Sequence, residues 1–315
     1  MPIVAVTGAT GKSGQCFVQE LESHWPAGYA FRFLVRHSTT SQTGKRGREL
    51  LRRIGGEVCE ADITRPEELE ALFTTESGEK VDTLLHIAGV LWSPCIVPVA
   101  LKHGVNRLIL VHTAGIYSRY RAAGETYREI EKEINRQVNA LRAQGRDVSV
   151  TYLRPTMIYG DLEDGNMSVF MHMVRRLRLM PVINGAGYDL QPVWCGDVGK
   201  AYYQVLLSPD TTNNKDYILS GGAPIQLIDI FKTLGRYLGV KNTFISCPFP
   251  IAYAGAWAVY LLTFGRADFR EKVQRMVEPR AYPHDEATRD FGYAPLPFEE
   301  GIWEEVEMYK RKVSR

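Results

Sequence analysis

The stretch Ile3-Val4-Ala5-Val6-Thr7-Gly8-Ala9-Thr10-Gly11-Lys12-Ser13-Gly14 restricts the fold of this 315-residue chain more than any other segment. Small and β-branched residues open it as a short buried strand. Three glycines follow at regular spacing, and Gln15 to Leu21 then reads as a helix. Each glycine has its own task. Gly8 permits the tight turn off the strand, Gly11 lets the backbone approach a pyrophosphate, and Gly14 lets the helix pack against the strand. Phosphates would sit on unpaired N–H groups at the positive end of the helix dipole. Thr10, Lys12 and Ser13 complete the expected contacts of this turn. Alone, a glycine triplet is a weak signal, equally at home in a tight turn of another α/β protein. Its place between a strand and a helix gives it weight.

Strands and helices alternate after it. The pattern predicts strands over 29–35, 57–61, 81–87, 107–112 and 148–153, and helices over 47–54, 66–73, 93–103 and 122–144. Six strands with intervening helices imply a parallel, doubly wound α/β sheet with right-handed crossovers. Its ligand crevice lies at the carboxyl ends of the strands, where the strand order reverses. The second half is less regular. Helices are predicted over 167–177, 197–207, 225–238 and 297–312, with short strands over 189–193 and 216–219. The resulting division is a dinucleotide-binding domain over 1–160, rejoined by 189–219, and a small α/β substrate cap formed by 161–188 and 220–315.

Length and composition remove other classes. The chain is long enough for one large domain or two. A net charge of +2 argues against nucleic acid or anionic membrane as an obligatory partner. The run Lys45-Arg46-Gly47-Arg48 reads as a solvated loop and helix start. Five scattered cysteines, none in a Cys-x-x-Cys pair, support neither a disulfide framework nor a metal site, and a reducing cytoplasmic setting follows. No signal peptide is recognised. The most apolar later stretch, Phe249 to Phe264, is shorter than the ~20 residues that span a bilayer. It reads as a buried helix, with monotopic membrane contact as the alternative.

Candidate ligand contacts follow the strand ends. Arg36, after the second strand, lies where an adenosine ribose would be. An acid there would favour NAD, whereas arginine can pair with the 2′-phosphate of NADP, and no acid occurs between Arg36 and Gly47. Asp62-Ile63 follows the third strand, where the carboxylate could accept from an adenine amino group or cap the next helix. The small pair Ala88-Gly89 would let backbone lie against a ribose, and His86 before it reads as a packed strand residue.

These segments, with Arg154-Pro155-Thr156-Met157-Ile158-Tyr159-Gly160, Gln191-Pro192-Val193-Trp194 and Glu278-Pro279-Arg280-Ala281-Tyr282, resemble the extended or atypical short-chain dehydrogenase/reductases, the NAD-dependent epimerase/dehydratase group. The resemblance spans nearly the whole chain. It implies a Rossmann fold and a catalytic Ser/Thr, Tyr and Lys, with Pro155 beside the nicotinamide. Thr113 stands at the hydroxyl position and Tyr127 is the best match to the tyrosine. The family's lysine lies four residues further on, where this chain has Glu131; Lys132 is one residue later. At ~100° per residue, four residues return a side chain to within about 40° of Tyr127, and five leave it about 140° away. Lys132 serves only if the helix starts irregularly; otherwise Tyr117 or Tyr120 replaces Tyr127, or the relay is lost. Asn166, Met167, Met171, Tyr188, Gln191 and Trp194 are candidate walls for a neutral or partly apolar substrate, and Arg280 is a candidate anion contact.

The reading that follows is an NAD(P)-dependent oxidoreductase or epimerase. It would move hydride between nicotinamide, preferably of NADP with NAD as alternative, and a small carbonyl or sugar-type substrate. The competing reading is a catalytically inactive dinucleotide-binding sensor or assembly subunit. A monomer or a homodimer would satisfy either.

Overall fold

A computed structural model describes residues 1–38, 40–75 and 78–313. The first half alternates through β1 (Ile3–Thr7), α1 (Lys12–Ser23), β2 (Ala30–Val35), α2 (Gln42–Ile54), β3 (Glu57–Glu60), α3 (Pro66–Phe73), β4 (Thr83–His86), α4 (Ser93–Lys102), β5 (Arg107–Val111), α5 (Gly124–Ala143) and β6 (Ser149–Pro155). The second half is more broken. It runs through β7 (Ile158–Tyr159), α6 (Met167–Arg176), β8 (Leu179–Ile183), β9 (Asp189–Leu190), β10 (Val193–Trp194), α7 (Cys195–Leu207), α8 (Pro209–Thr212) and β11 (Asp216–Leu219). It ends with β12 (Ile225–Gln226), α9 (Leu227–Leu238), β13 (Thr243–Cys247), α10 (Phe249–Leu262), α11 (Arg270–Met276), α12 (Asp285–Phe291) and α13 (Phe298–Val313).

Seven strands form one parallel sheet in the order β3-β2-β1-β4-β5-β6-β11. The chain leaves β1 toward β2 and returns to the other side of β1 with β4, so the order reverses there. This is the doubly wound Rossmann arrangement, and the glycine turn sits at its switch point. The strands read as continuous apolar runs because helices cover both faces. On one face α1, α2 and α7 bury Phe17, Val18, Leu51, Ala201 and Tyr202 against the sheet. On the other, α3, α4 and α5 bury Leu69, Leu72, Ile96, Val97, Ile134 and Val138. Gly199 lets α7 approach α1 closely: a Cβ there would stand 2.5 Å from the Cβ of Cys16.

A third core joins α6, α9 and α13 through Met167, Met171, Ile230, Phe231, Ile302 and Val306. Parallel strands β8 and β13, whose paired residues lie 64 positions apart, edge it, and the sequence pattern predicts neither. From the C-terminal segment, Ala287 and Phe291 of α12 return to the first core beside α8 and β11, where Phe291 packs on Tyr217.

Three sequence expectations need correction. Helix α2 starts at Gln42, because Ser41 caps it by accepting the Gly44 N–H at 3.0 Å. The Lys45–Arg48 run is therefore inside a helix, and Gly47 is the point where that helix meets Thr10. The helix expected from Ile225 begins at Leu227, because Ile225 and Gln226 pair with β9. Most consequentially, α10 is not buried: Ala256 is its one buried residue. No helix among the described residues is long and apolar enough to cross a membrane.

An acid, Glu305, is buried in the third core. Glu305 of α13 accepts the Leu162 N–H on Oε1 at 3.1 Å, and its Oε2 is buried without a partner. Burial, with Asp164 alongside, pushes its pKa up to about 9. A folded-state pKa raised above the unfolded value costs stability as pH rises between the two, because folding must then take up a proton. Glu305→Gln removes that cost. Denaturant unfolding should show the variant more stable by about 1–3 kcal/mol at pH 8 and nearly unchanged near pH 4. Destabilisation at pH 8 would contradict this account.

Candidate functional site

The turn after β1 takes its shape from main-chain contacts. Gly8 has φ +79°, and its carbonyl accepts the Gly11 N–H at 2.9 Å. Gly14 packs on that same carbonyl, where a Cβ would lie at 2.1 Å. Gly11 is the N-cap of α1 and offers no side-chain oxygen, so the first amides of the helix stay open. They face a cleft of about 450 Å³.

Gly8, Thr10, Gly11, Lys12, Ser13 and Gly14 line this cleft, joined by Arg36, Ile63 and Ala88. Arg36 is exposed at the end of β2 and has no partner among the described residues. Arg48, from the basic run expected to be solvated, lies in the same cleft. Its Nη1 meets Glu60 at 2.6 Å, while its buried Nη2 has no partner. Two guanidiniums therefore present unsatisfied donors at the β2 end. Gln15 braces the region by donating to the carbonyls of Thr10 and Thr43.

Three other candidates lie outside the lining. The Asp62 carboxylate turns back to accept the Thr64 N–H and hydroxyl, which hold its pKa below the ordinary range. Gly89 takes φ +103°, and its carbonyl binds His86 Nε2. Pro155 is buried in β6. His86 is a core residue: burial pushes its pKa down to about 3, and Thr7 Oγ1 lies 2.6 Å from Nδ1.

A second cavity, about 440 Å³, adjoins the first; Lys12 and Ile158 line both. Thr113, Ser118, Thr156, Asn166, Gln191 and Tyr282 contribute polar walls. Arg121, Arg275 and Arg280, with Lys12, outnumber the one lining carboxylate, Asp164, and make it cationic. The Nε atoms of Arg275 and Arg280 are buried and unpartnered. Burial first, then the neighbouring Arg275, pushes the Arg280 pKa down to about 10. Glu278 is already engaged, accepting from Ser118 Oγ at 2.6 Å and the Arg119 N–H at 2.7 Å. The apolar wall expected for a neutral substrate is therefore replaced by a cationic one. Met167 and Met171 are fully buried in the third core, Trp194 packs there too, and Tyr188 binds Asn184.

The candidate catalytic side chains separate. Thr113 lines the cavity, and its Oγ1 accepts the Gly115 N–H at 3.0 Å, which leaves its own proton available. Tyr127 is buried beside Val90 and Ile116, with its hydroxyl accepting from Arg121 Nη2 at 2.9 Å. Lys132 is exposed on the outer face of α5, which is helical from Gly124 with no irregular start. Glu131 shares the inner face with Tyr127, as helical spacing requires, but is tied elsewhere. Burial would raise its pKa, yet hydrogen bonds from His112 and Arg154 hold it below the ordinary range. Arg154 also binds Asp216, so this network links α5 to β5, β6 and β11. Tyr282 is the phenol that lines the cavity, and burial raises its pKa.

The model of a family described as NAD(P)H-binding matches residues 8–171, just over half of the chain. A 2-alkyl-3-oxoalkanoate reductase of Stenotrophomonas maltophilia is 23% identical over 241 residues, 69% of this chain and 72% of that protein. Among solved structures, the UDP-glucose 4-epimerase of Thermotoga maritima superposes with a TM-score of 0.70 at 18% identity, covering 99% of both chains. The triphenylmethane reductase of Citrobacter sp., solved with NADP(H), gives 0.68 at 18% identity over 97% of this chain and 99% of that one. The chain belongs to the family described as NAD(P)H-binding.

Proposed function

We propose that this protein binds NADP in the first cleft and moves hydride between the nicotinamide and a carbonyl or carbinol carbon of an anionic substrate in the second cavity. The observation that carries this reading is the adjacency of the two spaces. Open helix amides, Arg36 and the unsatisfied Nη2 of Arg48 lead, past Lys12 and Ile158, into a pocket with hydroxyls and three guanidiniums. Bare amides at a helix N-terminus fit a diphosphate. Arg36 and Arg48 fit a 2′-phosphate, and no acid stands directly after β2 to favour a free ribose hydroxyl.

When bound, the nicotinamide supplies or accepts the hydride. The protein's part is to hold the substrate oxygen and supply its proton. Thr113 Oγ1 is free to donate to that oxygen. The Tyr282 phenol, kept protonated by burial, is the candidate acid. Arg280 and Arg275 would hold the substrate's anionic group, and Tyr127 acts behind the wall by orienting Arg121. Residues 161–188 and much of 220–315 serve as the substrate cap in this scheme. A binding-only sensor is the second reading, favoured by one observation: no lysine accompanies Tyr127 on its face of α5, and Lys132 is exposed.

Turnover decides between them. NADPH consumption should be detectable with carbonyl compounds bearing a phosphate or carboxylate. Arg280→Ala should raise KM for these by about 10- to 100-fold, the value of a charge-assisted contact, and leave neutral carbonyls unaffected. NADPH binding without turnover across such a panel would leave the sensor reading. The cofactor turn has its own test. A Cβ at Gly11 would meet only the Gly8 carbonyl, at 3.2 Å, so Gly11→Ala should fold with a loss of about 1 kcal/mol or less. Its NADPH affinity should fall at least tenfold in a titration of tryptophan fluorescence; unchanged affinity would contradict the assignment.

A further inference from the structure

Helix α10 is unlike the other helices of the protein. Its fourteen residues, Phe249 to Leu262, include no charged side chain, and only Ala256 is buried. Ile251 is 64% exposed, Leu261 63% and Leu262 79%. At ~100° per residue these three fall on one arc of about 100° that holds no polar residue. The opposite side is fixed to the protein. Arg270 of α11 stacks on Trp257 and Tyr260, at 4.3 and 3.9 Å from the ring centroids, and the Phe249 N–H donates to Asn184 Oδ1. Phe264 follows the helix at 94% exposure, with φ +51°, a strained conformation for a bulky residue. Strain that holds a phenylalanine in water marks a functional position more readily than a packing one.

We propose that α10 and Phe264 dock the protein on the surface of a lipid bilayer that carries anionic headgroups. The helix, about 21 Å long, is too short to cross and has the shape of an in-plane anchor. Its edge has the charge this partner needs. Arg266 and Lys272 are exposed beside Phe264 and Phe269, while the neighbouring Asp268 is neutralised by Arg270 at 2.7 Å. A second copy of the chain on this face would oppose these cations to one another; anionic headgroups would pair with them. Helix α11 also supplies Arg275 to the cationic cavity, so docking would bring that cavity to the membrane surface.

The test is co-sedimentation of the full chain with vesicles of phosphatidylcholine mixed with phosphatidylglycerol, and with vesicles of phosphatidylcholine alone. The mixed vesicles should bind the protein at least tenfold more tightly. Leu262→Glu with Phe264→Glu should lower that binding at least tenfold. Arg266→Glu with Lys272→Glu should abolish the preference for the anionic lipid. Every substituted side chain is exposed, so circular dichroism and thermal melting should match the parent. Phe264→Ser is the milder variant if the double substitution unfolds the protein. Three results would overturn the proposal: wild-type protein left in the supernatant with both vesicles, equal binding to both, or a concentration-dependent dimer in light scattering that Leu262→Glu dissolves.

Discussion

The Gly8 carbonyl is the point on which the rest of the molecule turns. It accepts the Gly11 N–H and is packed against Gly14, so that β1 reverses into α1 within a few residues. Behind it, a Cβ on Gly8 would stand 2.5 Å from the Ala88 nitrogen, which sets how closely β4 flanks β1. The strand order reverses between those two strands, and the cleft opens there because no crossover covers it. A side chain at Gly8 or Gly14 would therefore distort the sheet and the cleft together. Gly47 extends the same logic to α2, whose second turn is pressed on Thr10 and so brings Arg48 into the cleft.

Local patterning was enough to read most of the sheet. Residues 66–73 and 216–219 show their own bounds, through a proline at a helix start and a short apolar run closed by Ser220-Gly221-Gly222. Elements whose existence depends on distant partners left no such trace. Strands β8 and β13 pair across 64 residues, and neither has a strong alternation of its own. Helix α10 shows a different limit: an apolar stretch reports that a helix avoids charge, not whether protein or another phase covers it.

The site divides in the same way. Contacts made by backbone or by residues next to a strand end, such as Gly11, Arg36 and Ala88, follow from the motif's position. Contacts delivered by tertiary folding do not. Arg48 looked like one charge in a basic run, and Arg275 and Tyr282 come from segments with little helical or strand signature. The displaced lysine was visible as a spacing fault. Its physical resolution was not, because Glu131 finds its counter-charge in Arg154, on a strand twenty-three residues later. A carboxylate at that position is tolerated only because the inner face of α5 has become an ion-pair network with β6 and β11. Arg121, Arg275 and Arg280 line the second cavity, so positive charge reaches it from segments other than α5.

The claim beneath all of this is that bare amides at the start of α1 receive a diphosphate. Backbone amide spectra of ¹⁵N-labelled protein, recorded while NADP is added at physiological salt, observe those amides individually. Saturable shifts should be largest at Gly11, Lys12 and Ser13. Spectra that stay unchanged there, or that move only at residues remote from the turn, would contradict the account.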